Sequence, residues 1–262
     1  NPGADVPSLT VSDAGDVNGG SDAVFNVALT KPVDADTTLT FTLGGQIEAG
    51  DVGLPTVTID GQVVTVKANA DGSYSVTVPA GTTSGIVVTV PTKDDVTFEG
   101  RESLSLEATL TGSSASGVAL PGNITDTGNA TIVDTESTDP SNPNPGADVP
   151  SLTVSDAGDV NEGSDAVFNV ALTKPVDADT TLTFTLGGQI EAGDVGLPTV
   201  TIDGQVVTVK ANADGSYSVT VPAGTTSGII VTVPTTGDDT FEGRGKLSLG
   251  ATLGGNSASG TA

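Results

Sequence analysis

The chain contains no cysteine, histidine, methionine or tryptophan. Those absences exclude disulfides, thiolate metal sites, haem ligation and the usual nucleophile–histidine triads. Serine and threonine abound, but without histidine or cysteine to activate them only lysine or carboxylates remain as bases. A carboxylate pair could hydrolyse glycosides, yet two tyrosines and six phenylalanines are too few to build a sugar-stacking cleft. No catalytic residue and no enzymatic activity are therefore expected. Basic residues are also scarce, 8 against 33 acidic ones, for a net charge of −25. Phosphate backbones and anionic membrane surfaces need Lys/Arg patches, so no nucleic-acid partner is expected. No apolar run approaches the ~20 residues of a membrane-spanning helix, so no membrane insertion is expected of this fragment. The N-terminus, NPGADVP, reads as linker rather than signal peptide, and the chain is read as a fragment of a larger exported protein.

What is present is a repeat. Residues 1–119 recur at 144–262, an offset of 143, with 11 mismatches in 119 positions. That period is too long for a solenoid unit and fits one domain per copy. Faithful duplication supplies length or multivalency, not a unique active site. One mismatch, Gly19/Glu162, falls before residue 87; the other ten crowd into 87–119.

Each copy alternates apolar and polar residues with period two and shows no sustained helical period. Phe25, Val27 and Leu29 form one buried face; Leu39, Phe41 and Leu43 another; Tyr74, Val76 and Val78 a third. Ile86, Val88 and Val90 follow, then Leu104, Leu106, Ala108 and Leu110. Further strands are predicted at 8–12, 57–60, 62–68 and 129–134. Asp60-Gly61 and Asp71-Gly72 are hairpin signals, and Pro79 and Pro91 close strands. The expected fold is all-β: two tandem immunoglobulin-like β-sandwiches joined by a Pro-rich linker. The first spans 1–136, with 1–7 as linker remnant. Residues 137–150 form a semi-rigid linker containing Pro140, Pro143, Pro145 and Pro150. The second spans 151–262 and has no counterpart of the final strand, so an unpaired edge is expected. The neighbouring repeats of the chain are its expected partners, in a monomer.

Acidic residues gather in loops. Asp13 and Asp16 follow the first strand, as do Asp156, Asp159 and Glu162 in the second copy. Asp94, Asp95 and Glu99 lie between two strands, matched by Asp238, Asp239 and Glu242; Asp134 and Glu136 end the first unit; Asp51 and Asp194 sit in EAGDVG. Carboxylates cap turns and keep proteins soluble without any ion. Several converging at one end of a sandwich, however, match the six to eight oxygens that Ca²⁺ takes. All fifteen are candidate Ca²⁺ ligands.

These motifs carry a resemblance. VNEG at 160–163, AGDVG at 49–53, DDVTFEG at 94–100 and IVDTE at 132–136 resemble the acidic strand ends of Calx-β domains. The resemblance implies Ca²⁺ at one end of each sandwich, held by Asp51, Asp94, Asp95, Glu99, Asp134 and Glu136, and in the second copy by Glu162, Asp194, Asp238, Asp239 and Glu242. The chain departs from the pattern at Gly19, at Gly237, and in an added stretch near 54–78 read as one hairpin. Tandem, acidic, cysteine-free sandwiches are also similar to the extender repeats of RTX-type adhesins exported by type 1 secretion. That similarity implies a Ca²⁺-stiffened stalk at the bacterial cell surface, serving adhesion or biofilm formation, with an ion shared at the junction between repeats. The alternatives are a module recognising a glycan or protein ligand, and a Ca²⁺ sensor like those of ion exchangers.

Overall fold

The computed structural model describes residues 5–48, 50–122, 124–133, 149–190, 193–237, 245–256 and 258. The linker expected at 137–150 lies outside them but for its last two residues. The chain divides into two compact units, Asn1–Asp95 with Arg101–Ala147, and Asp148–Ala262, to which Val96–Gly100 are assigned. Both are all-β sandwiches.

The first unit has eleven strands: β1 Leu9–Val11, β2 Gly15–Asn18, β3 Asp22–Leu29, β4 Thr37–Gly45, β5 Thr56–Ile59, β6 Gln62–Val64, β7 Lys67–Ala68, β8 Tyr74–Val78, β9 Ile86–Pro91, β10 Arg101–Thr111 and β11 Thr125–Val133. One sheet runs β1-β3-β9-β5-β6 and the other β2-β11-β10-β4-β8-β7. The alternation works as expected: Ala23, Phe25, Val27 and Leu29 of β3 point inward, and so do Leu104, Leu106, Ala108 and Leu110 of β10. Phe41 stacks on Tyr74 across the β4–β8 pair, ring centroids 5.5 Å apart. Facing side chains of the two sheets interdigitate into one Val/Leu/Ile/Phe core. The outward positions of β4, β8, β10 and β11 are mostly threonine and serine, which tolerate the pleat and remain wet.

Two expectations are corrected. The stretch near 54–78 is two hairpins, not one. β5–β6 turns at Asp60-Gly61, where φ is +50° and +78°, and joins the first sheet; β7–β8 joins the second. The predicted single strand 62–68 breaks at Thr65 and Val66, where the chain changes sheets. Residues 15–18, read as an acidic loop, are strand β2. This segment has no alternation of its own and gains its hydrogen bonds by lying parallel to β11, Gly15 opposite Ala130 and Asn18 opposite Val133.

The second unit repeats the plan with β12 Leu152–Val154, β13 Asp165–Leu172, β14 Thr180–Gly188, β15 Thr199–Ile202, β16 Gln205–Val207, β17 Lys210–Ala211, β18 Tyr217–Val221, β19 Ile229–Pro234 and β20 Leu247–Gly254. Its sheets run β12-β13-β19-β15-β16 and β17-β18-β14-β20, so β20 is an edge among the described residues. Residues 158–161, the counterpart of β2, are not a strand here.

Candidate metal centre

Three connections of the first unit are laced together at Thr92 and Lys93. The Thr92 N–H donates to Ser21 O at 2.8 Å, and its hydroxyl donates to Ser21 O at 2.6 Å and to Asn18 O at 3.1 Å. The Lys93 N–H donates to Asp51 O at 2.7 Å, and Gly53 N–H to Pro91 O at 2.7 Å. The β2–β3 turn, the β4–β5 loop and the end of β9 are thereby fixed to one another. Asp51 is held further by the Glu48 N–H, which donates to its carboxylate.

One carboxylate oxygen each from Asp51, Glu99 and Glu102 lies within 4.8 Å of the other two. Oxygens that share a Ca²⁺ at 2.3–2.6 Å stand no more than about 5 Å apart, so the spacing fits such an ion. Glu102 is only 3% exposed. It occupies the first inward position of β10, in line with Leu104 and Leu106, so the strand's alternation carries a carboxylate into the core margin. Asp51 and Glu99 are half-buried. On β2, Asn18 is 4% exposed, and its Oδ1 is the one buried side-chain N or O among the described residues without a hydrogen-bond partner. Asn18 pairs with Val133, which pairs with Arg101, the residue before Glu102. Of the fifteen candidates, Asp51 and Glu99 are brought together here. Glu102 was missed by the sequence reading, although an acidic residue in the inward register of RESLSL was a legible signal.

The other candidates are placed differently. Asp13 Oδ1 accepts the Asn129 N–H at 2.8 Å, and Asp16 Oδ2 pairs with Arg101 at 2.5 Å; both serve the β2–β11–β10 sheet rather than the Asp51 cluster. Asp94 and Asp95 are exposed. Asp94 faces the β2–β3 turn: a Cβ on Gly19 would stand 3.3 Å from Asp94 Oδ1, and one on Gly20 would stand 3.2 Å from Asp94 Cβ. Asp134 and Glu136 lie outside the described residues, as do Asp238, Asp239 and Glu242.

In the second unit the lacing recurs. Thr235 N–H donates to Ser164 O at 2.9 Å, Thr236 N–H to Asp194 O at 2.7 Å, and Gly196 N–H to Pro234 O at 2.8 Å. Asp156, Asp159 and Glu162 are exposed and Asp194 is half-buried. The position of Glu102 is taken by Gly245, so the buried carboxylate is lost while the loop framework remains.

No protein-family profile matches the chain, and no curated protein does. Among solved structures it is similar to a cohesin module of a family 33 glycoside hydrolase from Clostridium perfringens, with 14% identity and a TM-score of 0.37, over 50% of this chain and 99% of that one. It is also similar to a non-cellulosomal cohesin from Archaeoglobus fulgidus, with 16% identity and a TM-score of 0.32, over 50% and 94% of the two chains. No described helix is long and apolar enough to cross a membrane.

Proposed function

We propose that the chain is a pair of extender modules from an adhesion-type protein at the bacterial cell surface, and that it binds Ca²⁺ at the Asp51–Glu99–Glu102 cluster. The observation that carries the reading is the buried Glu102 carboxylate directed to the same point as Asp51 and Glu99. Three acidic groups this close repel one another, and burial raises the cost of their charge. A divalent cation offsets both effects. Because the ion binds the folded state, its affinity becomes stability by linkage. The spacer role rests on duplication: two copies of one scaffold, with mismatches gathered near one end, extend a chain without changing its surface greatly. A ligand-binding module gains no support from the aromatic residues. Tyr74 and Tyr217, the only tyrosines, stack on Phe41 and Phe184 instead of forming an exposed platform.

The deciding experiment is a thermal melt with Ca²⁺, with Mg²⁺ and with chelator. A rise specific to Ca²⁺ is expected. Identical melting in all three conditions would remove the ion and leave a passive spacer.

A further inference from the structure

One dipeptide of the first unit is reactive by its own chemistry. Asn18 precedes Gly19, the single Asn-Gly pair in the sequence; the second copy has Asn161-Glu162 at that place. A glycine has no side chain to shield its nitrogen, so that nitrogen can reach the preceding side-chain amide wherever the backbone is free to rotate. In the fold it is not free. Asn18 ends β2 and is 4% exposed. The Gly19 N–H donates to Val133 O at 3.1 Å. Asn18 O accepts the Ser21 N–H at 3.0 Å and the Thr92 hydroxyl at 3.1 Å. The peptide group joining Asn18 to Gly19 is thus bonded on both sides, its nitrogen to β11 and its oxygen to the turn. The side chain is treated differently: Asn18 Oδ1 is buried with no hydrogen-bond partner.

We propose that Asn18-Gly19 is a self-modification site that the β2–β11 pairing keeps closed, and that its reaction makes an opening of that pairing irreversible. When β2 leaves β11, the Gly19 nitrogen loses Val133 O and attacks Asn18 Cγ. The new Cγ–N bond closes a cyclic imide, the Cγ–Nδ2 bond breaks, and ammonia leaves with the proton from the Gly19 nitrogen. Water then opens the ring. Addition at Cγ breaks the new bond and leaves aspartate; addition at the main-chain carbonyl breaks the original peptide bond and leaves isoaspartate, with the chain now running through Cγ. Water is the only co-reactant. Neither product fits the seat. Aspartate places a charge where the side-chain oxygen meets no donor. Isoaspartate lengthens the backbone at the end of β2 and shifts the Gly19 nitrogen away from Val133 O. In the second copy the Glu162 side chain hinders the same attack, so the device belongs to the first unit.

The test incubates the whole chain in mildly alkaline buffer, with and without denaturing urea, and maps its peptides by mass spectrometry and isoaspartate assay. In urea, Asn18 is expected to convert at least about tenfold faster than Asn161, and Gly19→Glu to remove the difference. Without urea, conversion at Asn18 is expected to be at least about tenfold slower than with it. Thr92→Val, which removes the hydroxyl bonds to Asn18 O and Ser21 O, is expected to speed the native reaction. Asn18→Asp is expected to melt below the parent. Equal rates with and without urea, equal rates at Asn18 and Asn161 in urea, an unchanged native rate in Thr92→Val, or parental melting of Asn18→Asp would each overturn the proposal.

Discussion

Gly19 faces Asp94 in the first unit, and at the matching place in the second Glu162 faces Gly237. A Cβ on Gly19 would lie 3.3 Å from Asp94 Oδ1, and one on Gly237 would lie 3.8 Å from Glu162 Cβ. Two of the eleven mismatches are therefore spatial neighbours, and together they move one carboxylate from the β9 side of the gap to the turn side. Each copy keeps one acid there and avoids two. A double-mutant cycle tests the coupling. Gly19→Glu alone is expected to cost about 1–2 kcal/mol in chelator, through crowding and like-charge repulsion. Adding Asp94→Gly is expected to recover most of that loss. Additive single effects in urea denaturation would show that the two positions are independent.

Glu102→Gln keeps the shape of the side chain and removes the charge. In chelator the variant and the parent set the ion-free baselines. With Ca²⁺ at a hundred times its Kd, linkage gives the parent about 2.7 kcal/mol, or roughly 10 °C, and the variant is expected to lose that rise. Asp13→Ala serves as control. Asp13 is engaged with Asn129, so the Ca²⁺ response is expected to survive its removal. Calorimetric scans of the three proteins, with and without Ca²⁺, decide the matter.

The end of β4 makes a backbone prediction. Gly45 has φ +116°, and a Cβ there would stand 2.0 Å from Ser103 O; Gly188 repeats this against Lys246 O at 1.9 Å. Neither neighbour is the movable tip of a side chain. Gly45→Ala and Gly188→Ala are each expected to cost about 3 kcal/mol or more. Near-native melting of either variant would contradict the strand contact described here.

Acid sensitivity should have a local component at the β7–β8 turns. The Ser73 hydroxyl and N–H donate to Asp71 at 2.7 and 3.0 Å and hold its carboxyl below the usual range; Ser216 does the same for Asp214. A depressed carboxylate contributes stability that is complete above its unfolded pKa and is lost as pH falls through the folded value. Asp177 has the opposite sign. Burial raises its pKa, partly countered by the Ala258 N–H, so its contribution grows as pH falls through that raised value. In NMR titrations Ser73→Ala is expected to move the Asp71 midpoint upward. An unmoved midpoint would discount the hydroxyl.

The sheets were legible in the sequence wherever one strand face is buried, because burial on a pleated strand writes itself as alternation. Phe25, Val27 and Leu29 of β3 are read that way, as are the leucines of β10. β2 was illegible because its reason to be a strand lies in β11, more than a hundred residues away. Asp51 and Glu99 were found as loop acids. Glu102 stands outside that pattern, because this acid is in register with a core strand. Asp13 and Asp16 looked equivalent to Asp51 until their partners, Asn129 and Arg101, were known.

The parallel pairing of β2 with β11 has a mechanical consequence. Force applied outward through the two ends of the first unit pulls these strands past each other along their length. The bonds of the Gly15–Asn18 and Ala130–Val133 ladder then bear the load together instead of opening one at a time. In single-molecule pulling the first unit is expected to resist until that ladder parts as a whole, with β11 setting its tensile strength.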